Sequence, residues 1–162
     1  MTNAVTITTP TDREIVITRT LNASRALVWD AMHKPEFLRR WMLGPPGWEM
    51  TVCENDVRVG GRFRNEWKSA DGMIMAMTGV YGEVARPERI VRTETFETGC
   101  TPQMGEQIGT MVLTESAGRT TVTITSLFPS KEARDGMLAS GMEHGMNASY
   151  ARLDDLLVEL TR

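Results

Sequence analysis

Apolar and polar positions change period several times along this chain, and each change marks an element. From Arg13 to Leu21 (REIVITRTL) they alternate, as in a first strand with one buried face. The spacing then lengthens. Leu27, Val28, Ala31 and Met32 give a short helix one apolar side, with Ser24 as its N-cap. Pro35 ends that helix and opens a second, Pro35 to Trp41, because its fixed φ suits a helix start but not a helix interior. Gly44-Pro45-Pro46-Gly47 follows, and no helix runs through it. Six strand-like runs come next: Glu49 to Asp56, Arg62 to Lys68, Met73 to Val84, Glu88 to Thr98, Gln107 to Glu115 and Arg119 to Phe128. A loop rich in Gly and Thr, with Pro102 inside it, separates the fourth of these from the fifth; the others are joined by short turns, which favours an antiparallel meander.

The last third returns to a helical period. Around Met142, at 100° per residue, Leu138, Gly145, Met146, Ser149, Leu153, Leu156, Leu157 and Leu160 fall within about 60°. The helix spans Lys131 to Leu160, with Ser130 as N-cap and a kink or break expected near Gly141. The predicted fold is therefore α+β: a strand, two short helices, six more strands and a long C-terminal helix. A seven-stranded antiparallel sheet needs one face covered, and the long helix is the cover. Gly145 and Ser149, one turn apart, remove volume in mid-stripe, so a hollow is expected beneath the helix. On that view Gly145→Leu would fill the hollow.

Composition narrows the class without naming a chemistry. The 162 residues fit one domain, expected at 13–162 after a flexible, Thr-rich lead-in at 1–12 that lacks a signal-peptide core. Net charge is −3 and the basic residues are scattered, which disfavours nucleic acid as a partner. No apolar run approaches the roughly 20 residues of a membrane-spanning helix, so no membrane partner is expected. Cys53, in a strand, and Cys100, in a loop, read first as two reduced thiols of a cytoplasmic protein, with a disulfide between them as the alternative. A homodimer is compatible with this composition.

The local motifs carry a resemblance to a known family. They are Val28-Trp29-Asp30-Ala31, Arg40-Trp41, Gly44-Pro45-Pro46-Gly47-Trp48 and Val59-Gly60-Gly61-Arg62-Phe63, then Gly79-Val80-Tyr81-Gly82-Glu83-Val84 and Pro87-Glu88-Arg89-Ile90-Val91. Pro129-Ser130-Lys131-Glu132-Ala133-Arg134, Gly141-Met142, Gly145-Met146 and Ser149-Tyr150-Ala151-Arg152-Leu153 complete the set. In this order, from about Arg13 to Leu160, they resemble bacterial proteins sharing the domain of the activator of Hsp90 ATPase, within the START and Bet v 1-like helix-grip superfamily. The resemblance implies a curved sheet wrapped around the long helix and an apolar pocket between them, in which relatives hold lipids, sterols, polyketides or hormones. The eukaryotic Hsp90 activator carries an additional N-terminal domain for which 162 residues leave no room, so a co-chaperone role is not expected.

The expected ligand-binding residues come from three places. Trp41 and Trp48 flank the Pro-Pro break, as an aromatic wall or as plugs of the sheet's open end. Phe63, Asn65 and Trp67 alternate with charged Arg62, Arg64 and Glu66 and should point inward; Met75, Met77 and Tyr81 share a strand face through Gly79. The helix offers Met142, Gly145, Met146 and Ser149. The methionines serve either as core fillers or as a pliable ligand surface. Asn65, a polar group in an apolar hollow, needs either Ser149 or a ligand as its partner.

No catalytic or metal site is predicted. His144 lies far from the apolar stripe and is expected in solvent, while His33 ends the first helix as a favourable cation. Neither has a triad partner, no cluster has metal-ligand spacing, and Gly60-Gly61 is a turn rather than a phosphate loop. No cofactor is expected. The leading expectation is a non-catalytic protein that binds a small hydrophobic ligand. A cyclase or hydrolase acting on polyketide-like substrates is the first alternative, and an inward Arg, His or Asp with a shifted pKa would point to it. A modulator of a chaperone ATPase is the second.

Overall fold

A computed structural model describes residues 4–98 and 105–162. The Gly- and Thr-rich loop around Pro102, with Cys100 in it, lies outside the described residues. Twelve elements follow in order: β1 (Thr6–Thr8), β2 (Glu14–Leu21), α1 (Arg25–His33), α2 (Pro35–Trp41), β3 (Trp48–Asn55), β4 (Arg62–Ser69), β5 (Ile74–Ala85), β6 (Arg89–Thr98), β7 (Glu106–Ser116), β8 (Arg119–Leu127), α3 (Lys131–Ala139) and α4 (Met142–Leu160). The architecture is the α+β helix-grip arrangement.

The sheet has eight strands in the order β1-β2-β8-β7-β6-β5-β4-β3, and every neighbouring pair is antiparallel. Seven are those expected; β1 is the addition. Residues expected to form a flexible lead-in supply this edge strand, which pairs Ile7 with Ile17. Val5 is buried beside it, and its N–H donates to Asn147 Oδ1 at 3.0 Å. Three residues of Thr-Ile-Thr give too short an alternation to register as a strand in the sequence.

Alternation builds the sheet's inner face. β2 buries every second residue, Ile15, Ile17, Arg19 and Leu21. Arg19 is an ion on that apolar face, satisfied by a two-pronged pair with Asp154 of α4 at 2.8 and 2.6 Å. On β4 the inward set is Phe63, Asn65 and Trp67, as the flanking charges implied. Bulges at Met50/Val52 and Tyr81/Glu83 interrupt the ladders of β3 and β5, the kind of irregularity that bends a strand.

Ser24 Oγ caps α1 and Ser130 Oγ caps α3, each accepting from a backbone N–H three residues on. The long helix is two helices. Gly141 has φ +81, a left-handed conformation that glycine adopts without penalty, and it separates α3 from α4 at the expected position. The two halves of α4 do different work. Its C-terminal half buries Tyr150, Leu153, Leu156 and Leu157 in a solid core with Val28, Trp41, Leu113 and Val122. Its N-terminal half, with Met142 and Met146 only partly buried, does not close against the sheet.

Candidate functional site

Between the N-terminal half of α4, α3 and the inner face of the sheet lies a cavity of about 660 Å³, lined mainly by apolar side chains. That volume is in the range of small-molecule sites. The exposed lining residues Gly105, Gly136, Ser140 and Gly141 mark its mouth. Ten of the twelve expected residues line it: Trp41, Trp48, Asn65, Trp67, Met75, Met77, Met142, Gly145, Met146 and Ser149.

Phe63 and Tyr81 do not. They are buried against each other, ring centroids 5.7 Å apart, and the Arg92 guanidinium lies 4.0 Å over the Phe63 ring. Arg92 and Asn55 therefore hold the cavity wall where Phe63 and Tyr81 were expected.

Trp41 and Trp67 are fixed by polar contacts as well as packing. Trp41 Nε1–H donates to Ala31 O at 2.8 Å, and its ring sits 5.7 Å from that of Tyr150. Trp67 Nε1–H donates to Met42 O at 2.7 Å, tying β4 to the loop after α2. That loop explains the small residues of α4 better than a hollow does. Ser149 Oγ accepts from Gly44 N–H at 3.0 Å, and Arg152 Nη1 donates to Gly44 O at 2.9 Å. A Cβ on Gly145 would lie 3.2 Å from Pro45 Cδ. The expected dip in the helix thus seats the Gly44–Gly47 loop, and the cavity lies beside it.

The expected Gly145→Leu outcome changes accordingly. The new Cβ would press on Pro45 Cδ at 3.2 Å, so the Gly44–Gly47 loop must give by a few tenths of an ångström before the side chain is accommodated. Improved helix propensity offsets part of the cost, roughly 0.5–1 kcal/mol, against overpacking of about 1–3 kcal/mol. A net loss of about 1–2 kcal/mol in urea unfolding, with faster hydrogen exchange at Gly44 N–H, is the expected result. Unchanged exchange would refute the docking role.

The expected Asn65–Ser149 pair is absent: the bond shown for Ser149 Oγ is the one it accepts from Gly44 N–H. Asn65 is 4% exposed, and its Oδ1 has no hydrogen-bond partner among the described residues. The β4 register sets it between Cys53 and Met77, both buried; burial also pushes the Cys53 thiol pKa up.

Polar lining residues at the cavity floor were not anticipated. Arg92 Nε donates to Glu94 Oε2 at 2.9 Å, and Gln107 Nε2 donates to Glu94 Oε1 at 2.8 Å. A Cβ on Gly109 would come 2.7 Å from the Glu94 carboxylate, so glycine there leaves room for it. Burial opposes the Arg92 charge, but Glu94 and the Tyr81 phenol more than offset it, leaving its pKa above the ordinary value. Arg92 Nη1 also donates to the Tyr81 hydroxyl at 3.4 Å; that hydroxyl donates to Asn55 Oδ1, and Asn55 Nδ2 donates to His33 O at 2.7 Å. A signal for this cluster existed: Ile90, Arg92, Glu94 and Phe96 share one face of β6 at period 2, and the apolar pair at its ends implies an inward charged pair between them.

His33 corrects another expectation. It lines the cavity, is buried, and its Nδ1–H donates to Trp29 O at 2.8 Å. Burial lowers its pKa to about 4, with Arg92 adding to the effect, so it is a neutral imidazole at neutral pH and not a helix-end cation. His144 is exposed, as expected. Among the described residues, no group of three or more His, Cys, Asp or Glu is placed to hold a metal ion, and no helix is long and apolar enough to cross a membrane.

Comparison with known proteins agrees with this architecture. A family model described as Activator of Hsp90 ATPase homolog 1-like protein matches residues 22–158. A crystal structure of a Rhodobacter sphaeroides protein is similar at TM-score 0.88 and 27% identity, covering 96% of this chain and 99% of that one. A solution structure from Staphylococcus epidermidis is similar at TM-score 0.78 and 30% identity, covering 96% and 94%. Protein Ms6760 of Mycobacterium smegmatis is similar at TM-score 0.82 and 25% identity, covering 94% and 96%. No curated protein matches. With the family pattern running from α1 through nearly all of α4, the chain belongs to the Activator of Hsp90 ATPase homolog 1-like family.

Proposed function

We propose that this protein binds a small apolar or aromatic molecule, without transforming it, in the cavity beneath the N-terminal half of α4. The observation that carries the reading is the cavity itself, about 660 Å³ and walled by Trp41, Trp48, Trp67, Met75, Met77, Met142 and Met146. Burying about 200 Å² of ligand apolar surface contributes roughly 5 kcal/mol at 25 cal/mol per Å², before the costs of ordering. That corresponds to a dissociation constant of about 0.2 mM at the tightest, since ordering costs only weaken it. Thioethers suit such a wall because they repack around varied shapes. Internal volume of this kind favours a ligand over a chaperone-modulating surface, and we assign the protein to the cytoplasm, as a monomer or a homodimer.

One observation favours the enzymatic alternative: Arg92, Glu94 and His33 bring ionisable groups to the cavity wall. The tuning of His33 and of the neighbouring Tyr81 argues against acid–base work by these two groups near neutrality. An efficient proton carrier has a pKa near the working pH, whereas His33 is held at about 4, and Tyr81, which bonds to Arg92, is pushed above its ordinary value by burial. Native mass spectrometry of freshly purified protein tests the binding reading. A defined added mass, lost on mild activation, is expected. A bare mass that stays bare after incubation with a panel of small aromatic compounds would reject it.

A further inference from the structure

Within that binding reading, we propose that the cavity selects an uncharged ligand carrying a carbonyl acceptor on an apolar body, such as an aryl ketone, an ester or a lactone, with the carbonyl oxygen placed on Arg92 Nη2. A guanidinium carries N–H donors on all three nitrogens and no acceptor. In Arg92, Nε donates to Glu94 Oε2 at 2.9 Å and Nη1 to the Tyr81 hydroxyl at 3.4 Å. Among the described residues Nη2 meets no protein acceptor. It is also open. The one buried side-chain polar atom sealed off without a partner is Asn65 Oδ1, and the space that Arg92, 19% exposed, borders is the cavity. A ligand oxygen gains most on such a donor, because a hydrogen bond to an ionised group is about twice as strong as a neutral one. Asn65 adds to the bias: with its Oδ1 sealed, the amide atom it leaves to the cavity is the donor Nδ2.

The rest of the wall sets the remainder of the ligand. Trp67, Met77 and Phe96 line the cavity with Arg92, so the atoms attached to the carbonyl would meet hydrocarbon. Charge balance favours a neutral head group over an anion. Glu94 already neutralises Arg92, and its other oxygen accepts from Gln107. A carboxylate on Nη2 would set two anions against one cation in an apolar space, and would shed its water to do so. A ketone or ester oxygen takes the same bond and leaves the pair neutral.

A matched series on one aromatic body tests the inference by amide chemical-shift titration of the full chain. 2-Isopropenylnaphthalene has the shape of 2-acetylnaphthalene with a methylene in place of the carbonyl oxygen; 2-naphthol donates and accepts only weakly, and 2-naphthoate is an anion. We expect 2-acetylnaphthalene to bind about tenfold more tightly than the isopropenyl compound, with naphthol and naphthoate both weaker than the ketone. The double variant Arg92→Met/Glu94→Met removes both charges, so that neither is left buried alone. It should bring the ketone level with the isopropenyl compound while the latter still binds. A second measurement needs no variant: infrared difference spectra of 2-acetylnaphthalene, labelled with carbon-13 at the carbonyl and bound to the parent protein. The stretch should lie below its position in cyclohexane, as for a carbonyl held by a donor. The carbonyl assignment is overturned, and the cavity reading stands, if the isopropenyl compound binds but the ketone gains nothing, or if naphthol or naphthoate binds best. A stretch at its cyclohexane position, or a ketone that keeps its advantage in the double variant, overturns it equally. If none of the four compounds shifts resonances of the lining residues, the cavity reading itself fails, and the carbonyl assignment with it.

Discussion

Met77→Trp is expected to weaken apolar ligand binding by about a hundredfold while leaving unfolding stability within about 1 kcal/mol of the parent. In a solid core the same change would insert a bicyclic ring among packed atoms and cost about 1–3 kcal/mol or more. Met77 instead lines a cavity of about 660 Å³, beside Asn65 on β4 and Phe96 on β6, so an indole there consumes ligand space rather than protein volume. Urea unfolding and a titration with 2-methylnaphthalene, run on the same preparation, separate the two cases. Intact stability with binding lost is the signature of a filled hollow. Lost stability with binding intact would place the ligand elsewhere.

Acidification has a second large effect, through His33. Its folded-state pKa of about 4 lies below the unfolded value of 6.5, so at intermediate pH the unfolded chain takes up a proton that the folded protein refuses. The stabilisation is complete above pH 6.5 and is lost as pH falls towards 4. Two and a half units correspond to about 3 kcal/mol in total, of which about 2 kcal/mol disappears between pH 7 and pH 5. Asp135 and Glu159, held below the usual carboxylate range by hydrogen bonds and charge from Lys131 and Arg40, respectively, act in the same direction but at lower pH. Urea midpoints at pH 7, 6 and 5 should therefore fall steadily in the parent and stay nearly level in His33→Phe, whatever that variant's absolute stability. Equal slopes in the two proteins would show that His33 is not the group concerned.

How much of this was legible in the sequence depended on where the decisive contact lies. Strands β2 to β8 and the short helices follow from local periodicity and from Pro35, Ser24 and Ser130, and each was found within a few residues. The inward set Phe63, Asn65 and Trp67 was readable because charged neighbours in the same strand fixed its face. Gly145 was read correctly as a place without volume, but not for its cause. The group that fills the space is Pro45, a hundred residues earlier, and no period within a helix reports a loop docked from so far away. Arg92 and Glu94 show the opposite failure. They were not singled out, because the mutual pairing and the Gln107 bond that let two charges face a cavity are tertiary contacts. His33 was assigned from its helix end alone, and burial outweighed the helix dipole.

The most direct test is a crystal of this protein soaked with 2-bromonaphthalene, whose bromine can be located by anomalous scattering. The account predicts one strong peak in the space bounded by Trp67, Met77, Phe96 and Met146, with the naphthalene rings between α4 and the sheet. An interior closed by side chains, with bromine found only on the outer surface, would contradict it.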